Sequence, residues 1–196
     1  MDSTVIQVKD LKTYFRTQAG EARAVDGVSF SIPKGRTFAL VGESGCGKSV
    51  TALSIIQLID KPGYIAGGQI IFGGRDIVQL GEREKRDIRG NKISMIFQEP
   101  MTSLNPVFTI GEQIAEAVKL HQNIHKKDIK DKVIESLKLV GMPSPEERIN
   151  DYPHQLSGGM RKRVSLARVL CMEPQIIFYD EPTSEVDPIT ADTLVN

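Results

Sequence analysis

The residues from 42 to 49 have the types and the spacing of a phosphate-binding turn. They read Gly-Glu-Ser-Gly-Cys-Gly-Lys-Ser, which fits the pattern G-x-x-x-x-G-K-[ST]. Glycines at these positions let successive backbone N–H groups converge on an anion, and a helix that begins there adds the positive end of its dipole. Lys48 would reach the β- and γ-phosphates of a nucleotide, and the Ser49 hydroxyl would bind Mg²⁺. The candidate nucleotide-binding residues here are Gly42, Glu43, Ser44, Gly45, Cys46, Gly47, Lys48, Ser49 and Val50.

Two adjacent acids form a second candidate group. The apolar run 176–179 is typical of a buried strand, and Asp180 and Glu181 follow it directly. In α/β sheets, ligands bind at the carboxyl ends of the strands, where these carboxylates would lie. Asp180 would hold Mg²⁺, directly or through water, and Glu181 would polarise the water that attacks the γ-phosphorus. Alone the pair is a weak signal, but following a phosphate-binding turn it is a strong one.

The segment Leu-Ser-Gly-Gly-Met at 156–160 is a third candidate, at the start of a predicted helix. Ser157 is a good N-cap residue, and Gly158 and Gly159 leave the first amides of the helix uncovered. This would be a second phosphate cradle, without a lysine. Because one chain does not need two cradles for one γ-phosphate, we expect it to serve the nucleotide of a neighbouring copy. An ordinary capped helix start is the alternative, and it would be preferred if the motif stood alone.

The hydrophobic pattern supplies the elements that must position these groups. Strands are predicted at 5–11, 25–32, 37–41 (buried), 69–72 with 75–78 as a hairpin, 93–97 and 176–179. Helices are predicted from Lys48 to a stop at Pro62-Gly63, at 110–120, at 129–140, and from near Ser157. We therefore predict an α/β fold. Residues 1–98 and 160–196 would form its core with an antiparallel β-subdomain, and residues 99–159 an inserted helical subdomain.

Composition narrows the class of protein. Lys plus Arg equals Asp plus Glu at 25 each, and this balance argues against nucleic acid as the main partner. The two cysteines match no metal-ligand spacing and no disulfide scaffold, so a reducing cytoplasm is expected. The N-terminus lacks a signal-peptide pattern, and no apolar stretch approaches the roughly 18 residues that span a bilayer. Any membrane association would therefore come through a partner.

The order of these motifs resembles that of ATP-binding cassette (ABC) ATPases, over essentially the whole chain. The order is the phosphate-binding turn, Gln98, LSGGM, the Asp-Glu strand and SEVD at 184–187. The resemblance implies a P-loop NTPase (RecA-like) core. The segments IRGNKISMIFQEPMTSLNP, DYPHQLSGGMRKRV and GYIAGGQIIFGGRDI are similar to the oligopeptide/dipeptide (peptide/nickel) importer family. The segment 158–196 also looks similar to ABC ATPases of lipid-trafficking importers.

The resemblance implies roles for residues that the pattern alone does not assign. Phe15, with Tyr14 as the alternative, matches the aromatic residue that stacks on adenine. Gln98 matches the glutamine that contacts Mg²⁺ and the attacking water and senses the membrane subunits. Asp187 matches the aspartate that communicates across a dimer. Without the family, an aromatic pair at the end of a strand is more often part of a core.

As a whole, the resemblance implies an ATP-binding and ATP-hydrolysing subunit that powers import of peptides or similar small solutes. Its cofactors would be ATP and Mg²⁺. Its partners would be a second ATP-binding subunit, transmembrane permease subunits and, indirectly, an extracytoplasmic solute-binding protein. It would lie peripherally on the cytoplasmic face of the cell membrane. The alternatives are a lipid-trafficking ABC ATPase, a hydrolysis-impaired nucleotide-binding module, and a soluble ABC ATPase of DNA repair or the ribosome.

Two departures from the family pattern bear on activity. Family members carry a switch histidine in a strand beyond the SEVD segment, whereas the histidines here are His121, His125 and His154. We therefore expect either a fragment, truncated at the C-terminus, or a nucleotide binder with impaired turnover. Cys46 stands where the family often has serine. We expect its thiol to react with maleimides and ATP to protect it; the alternative is an unreactive buried thiol.

Overall fold

The chain divides into two compact units between Arg89 and Gly90. The computed structural model describes residues 4–97, 104–122 and 124–180. The first unit contains strands β1 (Thr4–Thr17), β2 (Gly20–Pro33), β3 (Gly63–Phe72) and β4 (Arg75–Asp76), with helices α1 (Lys48–Ile55) and α2 (Glu82–Ile88). The second contains strands β5 (Ile93–Ile96) and β6 (Ile176–Tyr179), with helices α3 (Ile110–His121), α4 (Ile129–Leu139), α5 (Pro145–Arg148) and α6 (Gly158–Leu170). The predicted α/β class is confirmed, while the predicted subdomain boundaries stay a prediction.

The first unit is built on an antiparallel sheet with the strand order β2-β1-β3-β4. Its buried face begins with Ile6 and Val8, which are 0% and 1% exposed. Asp10 then adopts a left-handed φ of +47°, and the pairing of β1 with β2 shifts register between Val8 and Leu11. This bulge moves the buried set from even to odd positions, so that Leu11 and Thr13 face inward.

Strands β1, β2 and β3 of this sheet are longer than predicted, whereas α1 is shorter. Strand β1 continues past residue 11 to Thr17, and therefore carries both aromatic candidates of the sequence analysis. Strand β3 already begins at Gly63. Helix α1 ends at Ile55, and Gln57 with its left-handed φ of +58° lies just beyond it. The helix thus ends before the proline and glycine at 62 and 63 that were predicted to stop it.

The predicted buried strand at 37–41 is wrong. These residues form no regular element and are exposed, with Val41 at 85% and Leu40 at 41% of full exposure. An apolar run becomes a strand only when a neighbouring strand takes its backbone hydrogen bonds. No strand in the described ranges pairs with this segment. Phe38 still packs on a β2 residue, because its ring stacks on Phe30 at a centroid distance of 5.0 Å.

The second unit combines a parallel strand pair with packed helices. Strands β5 and β6 pair from Ile93 with Ile176 to Ile96 with Tyr179. The backbone N–H of Asp180 extends this ladder by donating to the carbonyl oxygen of Ile96 at 3.0 Å. Helices α3, α4 and α6 share a core whose fully buried members include Ile114, Val118, Val133, Leu137, Val164 and Ala167. Ile96 of β5 belongs to the same core, and Ile177 and Tyr179 of β6 pack against it, so the core supports both strands.

Among the described residues, no helix has both the length and the apolar content needed to cross a membrane.

Candidate nucleotide-binding site

The predicted phosphate-binding turn is an exposed loop that leads directly into α1. Residues 42–46 are exposed, and the helix begins at Lys48 with Gly47 as its N-cap. Gly47 has a left-handed φ of +93°, and a Cβ at this position would run into the carbonyl of Ala24 in β2. Glycine is therefore required here for two reasons, the backbone conformation and the close approach to β2. The loop is thus fixed at its helical end and open to solvent elsewhere.

The ammonium group of Lys48 lies across this loop. Its Nζ donates to the carbonyl oxygens of Gly42 and Glu43, at 2.8 Å each. The Sγ of Cys46 is 3.9 Å from the same nitrogen. A cation beside exposed backbone N–H groups and the positive end of a helix dipole is suited to an anion. The arrangement fits the phosphate chain of a nucleotide.

The first turn of α1 carries two further candidates, Ser49 and Val50, both half-buried. The turn is tied to the loop by Thr51, whose hydroxyl and backbone N–H both donate to the carbonyl oxygen of Gly47 at 2.8 Å. A serine hydroxyl is a hard oxygen ligand of the kind that Mg²⁺ prefers. Ser49 therefore has suitable chemistry, and a suitable position next to the loop, for a phosphate-bound magnesium ion.

The two aromatic candidates, Phe15 and Tyr14, lie on opposite faces of β1. Phe15 is half-buried. It lies on the face of the sheet that packs against α1, since Thr13 on the same face hydrogen-bonds to Ser54 in that helix. The Phe15 ring lies over Gly63 of β3, and the side chain of Ile59 also lies close to that glycine. Of the two, only Phe15 therefore shares a face of the sheet with the helix that the phosphate loop precedes.

Tyr14 belongs to a surface network on the other face. Its hydroxyl donates to Asp26 at 2.7 Å, Arg23 lies over its ring, and its ring edge meets Tyr64. The hydrogen bond raises the pKa of Tyr14 and lowers the pKa of Asp26. The bulge at Asp10 decides which aromatic faces inward, and simple alternation from Ile6 and Val8 would have chosen Tyr14. The structure thus favours Phe15 as the base-stacking candidate.

The remaining catalytic candidates belong to the second unit. Asp180 follows β6 and is fixed by its backbone hydrogen bond to Ile96 in β5. The carboxyl ends of these parallel strands lie side by side, which is where ligands bind in sheets of this kind. Gln98, Glu181 and Asp187 lie outside the described residues. Their assignments remain predictions.

The LSGGM segment forms a capped helix start. Ser157 is the N-cap of α6, and its hydroxyl accepts a hydrogen bond from the backbone N–H of Met160 at 3.3 Å. Ser157 and Gly159 are exposed, and a Cβ at Gly159 would meet nothing within 4 Å. Gly158 is half-buried beside them. The predicted N-cap is confirmed, and the start of α6 is open to a ligand or to another chain.

Sequence reasoning missed the groups that hold α1 in place. Thr13 and Ser54 are both 0% exposed and hydrogen-bonded to each other. Arg89 donates to the carbonyl oxygens of Ile56 and Gln57, just after α1. The available signal was Thr13, a polar residue at one of the odd-numbered buried positions of β1. Recognising that this position is buried required knowledge of the bulge.

Comparisons with known proteins agree on the family. The model of the ABC transporter family matches residues 25–184. The oligopeptide transport ATP-binding protein OppD of Bacillus subtilis is 49% identical over 184 residues, covering 93% of this chain and 51% of OppD. A probable peptide ABC transporter ATP-binding protein of Sinorhizobium fredii, y4tR, is 48% identical over 184 residues, covering 93% of this chain and 55% of that protein. The chain thus spans about half the length of these relatives.

A solved structure of an ATP-binding cassette has a fold similar to that of this chain. It is the dimeric post-hydrolysis state of the ATP-binding cassette MJ0796 bound to ADP and Pi. The likeness has a TM-score of 0.83 at 26% identity and covers 96% of this chain and 79% of that chain. The predicted resemblance to peptide-importer ATP-binding proteins is confirmed by the names of the relatives. With the loop at 42–49, the start of α6 and the match over 25–184, this chain belongs to the ABC transporter family.

Proposed function

We propose that this chain binds ATP and Mg²⁺ at residues 42–50 and hydrolyses the ATP to power import of peptides or similar small solutes. The observation that carries the proposal is the exposed loop at the start of α1 with the Lys48 ammonium lying across it. Family membership supports the nucleotide. The names of the peptide-transport relatives support the substrate class.

In binding, Lys48 would exchange its two carbonyl contacts for oxygens of the β- and γ-phosphates. The backbone N–H groups of the exposed loop would hold the rest of the phosphate chain. Phe15 would stack on adenine from its place on the α1 face of the sheet. Stacking on an aromatic ring is tolerant of the base, so the ring would add affinity without strong selection for adenine.

In hydrolysis, Ser49, Asp180 and Gln98 would hold Mg²⁺, which neutralises phosphate charge when bound. Glu181 would orient and polarise the attacking water, because it follows the proposed metal ligand Asp180 in the sequence and a carboxylate can act as a general base. Lys48 would stabilise the charge that develops on the transferred phosphoryl group.

The active form would be a dimer of ATP-binding subunits. The open start of α6, at Ser157, Gly158 and Gly159, would cover the γ-phosphate held by the loop of its partner. Asp187 would communicate between the two sites. Support comes from the exposure of this helix start and from the dimeric state of the related cassette bound to ADP and Pi.

Closure of this dimer on ATP would drive transmembrane permease subunits, which receive solute from an extracytoplasmic binding protein. The chain would then lie on the cytoplasmic face of the membrane. The inserted helical subdomain (residues 99–159), especially the segment after Gln98, is the proposed docking surface. Val107 and Phe108, just before α3, are 70% and 49% exposed, as expected of apolar residues that meet a partner.

Nucleotide titration and phosphate release, measured on the complete reading frame, test this function. The wild type should bind ATP and release phosphate in a magnesium-dependent manner. Lys48→Ala should lose binding, whereas Glu181→Gln should keep binding and lose hydrolysis. Binding without hydrolysis in the wild type would establish the hydrolysis-impaired module instead. Absence of ATP binding by the wild type would refute the proposal.

A further inference from the structure

We propose that a buried chain of hydroxyl groups, from Thr13 through Ser54 to the backbone of Val50, positions the base platform Phe15 relative to the phosphate loop. It would thereby set how much the adenine base adds to nucleotide affinity. This inference rests on the proposed function, because it concerns a nucleotide bound by the loop at 42–50. Its members are positioning residues, since neither hydroxyl would contact the nucleotide.

The hydroxyl chain has a defined direction. Thr13 Oγ1 and Ser54 Oγ are 2.7 Å apart, and both residues are 0% exposed. The Ser54 hydroxyl donates its proton to the carbonyl oxygen of Val50 at 2.6 Å. Because a serine hydroxyl has a single proton, Thr13 must be the donor to Ser54. The chain therefore runs from strand β1 into the first turn of helix α1.

Packing alone does not call for this arrangement. Two buried hydroxyls must give up their hydrogen bonds to water, and the bond between them returns little net stability. Apolar side chains of similar volume would fill the same space and keep α1 on the sheet. A hydrogen bond instead demands one distance and one orientation, so it defines the position of the helix along the strand more narrowly than packing does.

Both ends of the hydroxyl chain lie next to nucleotide-binding residues. Thr13 is two residues before Phe15 on the same face of β1, a separation of about 7 Å. Val50 directly follows Ser49, and the next residue, Thr51, makes a separate hydrogen bond from its hydroxyl to the carbonyl oxygen of Gly47 in the loop, at 2.8 Å. The hydroxyl chain therefore connects the strand that carries Phe15 to the first turn of the helix that follows the phosphate loop.

The segment that follows α1 also lies near the platform. The Phe15 ring and the side chain of Ile59, which follows that helix, lie together over Gly63. Ile59 and Phe15 thus share the space above Gly63, and Thr13 supplies the hydrogen-bonded link between the strand of Phe15 and α1. Loss of the hydroxyl chain should let the helix shift along the strand without detaching from it.

The consequence differs between ligands. Inorganic tripolyphosphate would use only the loop, so its affinity should not depend on where Phe15 lies. ATP would contact the loop and the ring at the same time. It would bind best when the distance between loop and ring already matches the distance between its phosphates and its base. Loss of the hydroxyl chain should therefore weaken ATP while leaving tripolyphosphate unchanged.

The test compares the dissociation constants of Mg-ATP and Mg-tripolyphosphate by calorimetry. Thr13→Val keeps the side-chain shape and removes the hydroxyl. It should weaken ATP about 3- to 10-fold, from the loss of one hydrogen bond, and change tripolyphosphate by less than about twofold. Thr13→Ser, which restores the donor, should recover the wild-type ratio of affinities. Phe15→Ala gives the ratio expected when the base contributes nothing.

Equal weakening of both ligands in Thr13→Val would show a merely structural role and overturn the inference, as would unchanged ATP affinity. If Thr13→Val does not fold, Ser54→Ala removes the same link with a good helix former and should change the ratio in the same direction. A wild type that binds neither ligand would refute the proposed function itself. A wild type that binds both ligands equally would refute the base platform.

Discussion

A matched pair of glycine substitutions tests the geometry of the phosphate loop. Gly45 and Gly47 both have left-handed backbones, with φ of +81° and +93°. A Cβ at Gly45 would meet nothing within 4 Å, whereas a Cβ at Gly47 would run into the backbone carbonyl of Ala24. Alanine at either position therefore introduces the same backbone strain, and only Gly47→Ala adds a collision with β2.

The structure gives the expected size of each effect. A left-handed conformation costs an L-residue about 1–2 kcal/mol, and an exposed loop can relax this strain until a ligand demands the strained form. Gly45→Ala should therefore weaken ATP binding about 5- to 30-fold. Overpacking at Gly47 adds about 1–3 kcal/mol, and this cost is divided between ATP affinity and the free energy of unfolding, so that the loss of affinity in Gly47→Ala lies between about 5-fold and about 4,000-fold. Gly47→Ala should also lower the free energy of unfolding, because the collision is with a strand of the sheet.

The assay is a fluorescent ATP-analogue titration with urea unfolding of both variants. Gly35→Ala is the control. Like Gly45, Gly35 has a positive φ, here +66°, and a Cβ there would meet nothing within 4 Å, but Gly35 lies outside the loop. It should leave ATP affinity unchanged. Equal losses of both ATP affinity and unfolding free energy in Gly45→Ala and Gly47→Ala would refute the close approach of the loop to β2. Unchanged affinity in both would refute the loop as the phosphate site.

Two further predictions concern the cysteines and the end of α1. In the native chain, maleimide should label the exposed Cys46 and spare Cys171, because burial leaves Cys171 2% exposed and raises its pKa to about 11. ATP should slow labelling of Cys46, and unfolding should expose both thiols; equal Cys46 labelling with and without ATP would contradict its place in the site. Arg89→Ala should lower the free energy of unfolding by about 1 kcal/mol, because the guanidinium donates to the carbonyl oxygens of Ile56 and Gln57 at 3.1 and 2.8 Å. Arg89→Lys should recover part of that loss in urea unfolding. An Arg89→Ala protein with the wild-type free energy of unfolding would show that these bonds do not stabilise the fold.

Local sequence signals predicted the elements whose formation depends on local chemistry. The start of α6 was predictable because Ser157 is followed by glycines and then by a periodic apolar pattern, and it is indeed the N-cap. Strand β6 was predictable because four apolar residues precede an acidic pair. The start of α1 followed in the same way from the loop motif.

Features that depend on pairing between distant segments were not predictable. The alternation of β1 changes phase at Asp10, because the register with β2 shifts there, and this shift is invisible in the sequence of β1 alone. The apolar content of 37–41 indicated a strand, but an extended segment also needs a partner for its backbone. The Thr13–Ser54 bond joins residues 41 positions apart, so neither local pattern contained it.

The central claim, a site shared between two copies, is tested most directly by sedimentation with and without ATP. Glu181→Gln, which should bind ATP without hydrolysing it, is expected to become dimeric when ATP is added. Adding Gly159→Asp should keep the chain monomeric, because the carboxylate repels the partner's γ-phosphate. The same carboxylate suits the start of its own helix, where a Cβ meets nothing, so the fold should be retained. ATP affinity of this monomer should be unchanged. Persistence of the dimer, or loss of ATP binding by the monomer, would contradict the account.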